Sequence, residues 1–100
     1  MAKLTEHLSK MLEEANASNI PAKRTLGNGL HVSIFAEREN YSVTISRDTT
    51  YPSGKEWETI FKHFPYYTLI PDAEQRTDAD GRLALTGRVA KRHLQQIRLM

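Results

Sequence analysis

Five cations close the chain with no acid among them: Arg82, Arg88, Lys91, Arg92 and Arg98, together with His93. Guanidinium groups suit bidentate contact to phosphate, and a cluster of cations is the electrostatic footprint of nucleic-acid binding. Four or five such contacts would give micromolar affinity at best, falling steeply with salt. The competing account is a solvated end whose charges offset Asp72, Glu74, Asp78 and Asp80 in the preceding stretch. The formal net charge is only +2, and no aromatic side chains interleave with the cations. Nucleic-acid binding is therefore carried as the alternative reading.

Other chemistry finds less support. His7, His31, His63 and His93 fall on separate segments without His-x-His or i, i+4 spacing, and the chain contains no cysteine. No metal site is predicted, because a tetrahedral centre needs such ligands gathered. Asp78-Ala-Asp80-Gly81 is similar to the start of a calcium loop but lacks the later ligands and closing Glu, so it reads as a turn. Ser, His and Asp occur without a nucleophile elbow or a Lys dyad, and Glu56 and Glu58 point about 200° apart on a helix. We expect no catalytic activity and no cofactor.

The elements that would position any site follow from periodicity. Ser53 and Glu56 form a capping box, after which Trp57, Ile60, Phe61 and Phe64 share an arc of about 100°. Pro65 stops that helix. Six of the chain's eight aromatics lie between Tyr51 and Tyr67, which makes this the expected central core helix. Leu4, Leu8, Met11, Leu12 and Ala15 predict another helix over about 3–16. Residues 17–29 read as a linker closed by the turn Gly27-Asn28-Gly29. Leu30–Ala36 and Tyr41–Arg47 alternate and predict a hairpin through Glu37–Asn40. Tyr67–Ile70 reads as a short strand, residues 72–81 as an acidic loop, and Arg82–Val89 as a further strand. Gly87 marks a bulge or a close backbone approach. The tail 90–100 leans to helix.

The sum is one small α+β domain over 1–100, in the order α-β-β-α-β-β: a four-stranded, mainly antiparallel sheet with two helices on one face. The other face would then show His31, Ser33, Phe35, Ser42, Thr44, Ser46, Arg82, Thr86 and Arg88. Hydroxyls, a few cations and one aromatic there suit a single-stranded nucleic acid or a partner's sheet. Phe35, however, is the only aromatic platform, too few for base stacking, and an ordinary solvated sheet face is the leading competing account. Tyr66 and Tyr67 are consecutive, so in an extended chain one leaves the core and offers a contact anchor. The N-terminus has no signal-peptide run and no stretch is long enough to span a membrane, so a cytoplasmic location is expected. The reading is a small binding module acting through protein–protein contact or self-association as a homodimer, with His31, Phe35, Tyr66 and Tyr67 as partner-binding candidates.

Overall fold

A computed structural model describes residues 4–64, 67–69 and 76–93. Its elements run α1 (Leu4–Ala17), β1 (Ala22–Thr25), β2 (His31–Ala36), β3 (Asn40–Arg47), α2 (Gly54–Phe61), β4 (Tyr67–Leu69), β5 (Arg76–Thr77) and β6 (Leu83–Ala90), followed by a 3-10 turn at Lys91–His93. The class is α+β, as the periodicity indicated. All pairings are antiparallel, in the order β1-β2-β3-β6-β4, with the two-residue β5 also paired to β6.

The sheet has more strands than the four expected. The segment read as a linker contains β1, and the segment read as an acidic loop contains β5. Both are too short to show a convincing alternation. Each is built instead by the hairpin turn that follows it. In the first turn, Leu26 N–H donates to Leu30 C=O at 2.8 Å and Gly29 N–H donates to Leu26 C=O at 3.0 Å. In the second, Asp78 N–H donates to Arg82 C=O at the same 2.8 Å, and Gly81 N–H donates to Asp78 C=O at 3.0 Å. Both glycines stand at positive φ, 80° and 86°, the left-handed position that a three-residue hairpin reserves for glycine. Of the tail 90–100 expected to lean to helix, Ala90 instead ends β6, paired with Asn40, and Lys91–His93 form the 3-10 turn; residues 94–100 lie outside the described ones.

The helices cover one face of the sheet. On α1, Leu8, Met11, Leu12 and Ala15 are buried and pack with β1 and β2. On α2 the capping box forms: Glu56 N–H donates to Ser53 Oγ at 3.2 Å, and Ser53 N–H donates to Glu56 Oε1 at 2.9 Å. Ile60, Phe61 and Phe64 are buried, while Trp57 is only half-buried and stacks on Phe61 with ring centroids 3.7 Å apart. Phe61, rather than Trp57, is thus the deepest side chain of that helix. These residues join Leu30, Val32, Ile34, Tyr41, Val43, Ile45 and Val89 in one core.

Gly87 lies opposite Val43 and Leu69 in uninterrupted register, so it makes no bulge. The expected close approach is real. A Cβ there would stand 2.7 Å from Phe61 Cε1 and 3.1 Å from Trp57 Cη2. The missing side chain is the slot into which α2 inserts its aromatic pair.

Candidate binding face

The side chains on the face away from the helices follow from strand parity and register. One cross-strand row runs Thr25, His31, Ser46, Ala84 and Arg76. The next runs Lys23, Ser33, Thr44 and Thr86, and a third runs Phe35, Ser42, Arg88 and Thr68. The face is therefore paved with short hydroxyl side chains. Thr44 and Thr86 hydroxyls hydrogen-bond each other at 3.2 Å. Charged residues stand at its margins.

A shallow cavity of about 200 Å³ opens between β1, β2 and the 78–82 turn, with Lys23, Thr25, His31, Ser33, Asp78 and Arg82 among its lining. Arg82 anchors that end. Its Nε donates to Asp48 Oδ1 at 2.7 Å and its Nη1 to Asp80 Oδ2 at 2.9 Å, with Asp78 Oδ2 at 3.7 Å. The hydrogen bonds to Asp48 and Asp80 raise the guanidinium above its already high ordinary pKa. Asp78 ties the turn together. Its Oδ1 accepts from the N–H of Asp80 at 2.9 Å and of Arg82 at 2.8 Å, and its Oδ2 accepts from Ser46 Oγ at 2.7 Å. Burial pushes the Asp78 carboxyl up, but these bonds and the Arg82 charge outweigh it and hold the group below the usual carboxylate range. His31 Nδ1 lies 2.9 Å from the Thr25 hydroxyl, and its Nε2 lies 3.8 Å from Asp48.

The sequence-derived cations are dispersed. Arg82, in the turn just before β6, and Arg88, within β6, lie six residues apart, roughly 20 Å along an extended chain. Arg88 pairs with Glu37 at 3.3 Å. Lys91 leaves the face altogether, its Nζ 5.6 Å from the centre of the Tyr41 ring, a cation–π contact. Arg92 is exposed, and Arg98 lies outside the described residues. Of the four partner-binding candidates, His31 and Phe35 share the open face and Phe35 is 39% exposed. Tyr66 lies outside the described residues, and of Tyr67 only the backbone, paired with Val89, is described.

No protein-family model matches the chain, and no curated protein or solved structure does either. Among the described residues, no three His, Asp or Glu side chains are grouped to hold a metal ion, and no helix is long and apolar enough to cross a membrane.

Sequence reasoning overlooked Lys23, Thr25, Asp48 and Asp78 as parts of this face. The first two sit on the unread strand β1. The signal was present: Gly27-Asn28-Gly29 as a hairpin turn requires a strand on each side of it. Asp78 carried its own signal, since Asp ahead of a glycine turn commonly bonds the backbone two residues on.

Proposed function

We propose that this chain is a non-catalytic binding module that offers its open sheet face to a protein partner. The observation that carries the reading is the balance of charge on that face. Arg82 is matched by Asp48, Asp78 and Asp80, and Arg88 by Glu37. Phosphate binding needs cations in excess, whereas a face of hydroxyls, paired ions of both signs and a partly exposed Phe35 resembles the mixed surface of protein interfaces.

The test is capture by the immobilised chain alongside two open-face variants, Phe35→Asp and Ser33→Arg, each verified as folded by circular dichroism. We expect one stoichiometric protein partner for the native chain and its loss in both variants. Labelled single- and double-stranded DNA and RNA should give flat anisotropy titrations at low salt. Micromolar, steeply salt-dependent binding that disappears on joint replacement of Arg88, Lys91 and Arg92 by Glu would overturn the reading in favour of nucleic acid.

A further inference from the structure

The sheet ends, among the described residues, on an open edge at β1, since no strand pairs with its outer side. Hydrogen-bonded pairs alternate along an antiparallel ladder. Because Leu26 bonds to Leu30, Arg24 and Ala22 bond to β2, and Lys23 and Thr25 turn their N–H and C=O groups outward. The Lys23 carbonyl already recruits a donor, accepting from Arg24 Nη1 at 2.8 Å. Beside this edge the face is apolar at one end. Ile20 is 69% exposed, and continuing the β1–β2 register by one residue sets Pro21 opposite Phe35. Two of the three exposed large apolar side chains among the described residues, Ile20 and Phe35, thus lie near the start of β1.

A second copy of the chain does not suit this edge. In a two-fold antiparallel pairing, opposed residues must point to the same face. Every register that joins more than one residue of β1 then sets Lys23 against Lys23, or Arg24 against Arg24. Like charges directly opposite are destabilising. Of the two, Arg24 is already paired with Glu14, and Lys23 is the cation that suits an acidic strand. Among the described residues Lys23 pairs with Asp80 at 3.5 Å, with the two side chains 52% and 49% exposed, a pairing weak enough to exchange.

We propose that β1 takes an extended segment of a partner protein as an added strand. On the open face that segment carries an acidic residue opposite Lys23 and an apolar residue two positions away, over Pro21 and Phe35. The main-chain bonds to Lys23 and Thr25 supply affinity, and the two side chains supply selectivity. The inference rests on the protein-binding reading above and assigns the partner's conformation and chemistry.

The probe is a fluorescein-labelled nonapeptide of alternating Thr and Val with Leu-Thr-Glu at its centre, made also as Glu-Thr-Leu because a strand can add in either direction. We expect micromolar binding of at least one order, weakened about tenfold or more when Lys replaces Glu. Lys23→Glu should invert that preference, and Thr25→Pro, which removes an outward donor at a position where an edge tolerates proline, should abolish binding. Amide shifts in nuclear magnetic resonance should concentrate at Lys23 and Thr25. Failure of both orders to bind the native chain, or an affinity indifferent to Lys23→Glu, overturns the strand addition. If the open-face variants still lose a captured partner, the face reading survives that failure; if capture also fails, both fall.

Discussion

Along β3, Tyr41, Val43 and Ile45 lie buried under the helices, while Ser42 and Thr44 between them stay partly open. The same alternation holds along β2, where Val32 and Ile34 are buried and His31, Ser33 and Phe35 are not. Each strand thus writes two surfaces under different rules. The covered face is governed by volume: apolar groups leave water, and each side chain must fit the space its neighbours leave. The open face is governed by pairing: its charges are placed by carboxylates such as Asp48 and Asp78, distant in sequence from Arg82 and Ser46 or brought close only by a turn. The first rule acts within one strand and can be read from periodicity. The second acts between strands and needs the register.

The sharpest way to break this contrast is at Phe61, which is fully buried. Phe61→Ala should cost about 3–5 kcal/mol in chemical denaturation; a loss below 1 kcal/mol would mean that volume does not rule the covered face. Gly87→Ala tests the same rule from the sheet side. The added methyl meets Phe61 and Trp57 at less than contact distance, and overpacking should cost about 1–3 kcal/mol. A stabilised variant would show that α2 can lift away without penalty.

On the open face the effects should be smaller. Asp78→Ala strands the Ser46 hydroxyl and two backbone N–H groups, and should cost about 1–2 kcal/mol. Its pH signature is specific. The folded pKa of Asp78 is depressed, so its stabilisation is complete above the unfolded value, near pH 4, and is lost as pH falls through the folded value. His63 adds an earlier loss. Burial, with the charge of Lys62 second, lowers its pKa. Its stabilisation is therefore present above about pH 6.5 and declines below it, because the unfolded chain binds the proton more readily. The melting temperature should fall below pH 6.5 and again below pH 4. His63→Gln should flatten the first fall and Asp78→Ala the second; unchanged profiles would remove both assignments. Ser33→Ala, on the cavity wall, should change stability by less than about 0.5 kcal/mol. A larger loss would show that the hydroxyl rows hold the sheet together rather than merely facing outward.

What the sequence made legible follows the same division. The two helices, the β2–β3 hairpin and the inward positions of Val32, Ile34, Tyr41, Val43 and Ile45 were readable because each rests on a period repeated over several residues. The capping box at Ser53 and Glu56 was readable because its partners are three residues apart. Strands β1 and β5 were not, being four and two residues long and fixed by a turn and a neighbour. The open face was half legible: parity named His31, Ser33, Phe35 and Thr44, but nothing local says that Arg82 reaches Asp48 or that Ser46 is buried against Asp78. The aromatic cluster pointed correctly to α2 as a core helix, yet the choice between Trp57 and Phe61 as its deepest residue depends on Gly87, which is 26 positions beyond Phe61 in the chain.

The Glu56 side chain has a reach beyond its own helix. While capping α2 through Ser53 N–H, it also pairs with the Arg47 guanidinium and accepts from Asn28 Nδ2 at 3.4 Å, and Arg47 Nη1 donates to Asn28 C=O at 2.9 Å. The end of β3, the β1–β2 turn and the start of α2 are thereby fastened at one carboxylate. A helix end ordinarily frays alone. Here the first turn of α2 can open only by releasing the turn and the strand end with it. Amide exchange at Trp57, Gly29 and Arg47 should therefore proceed through one shared opening, with matched protection, and Glu56→Gln should split it into three independent rates.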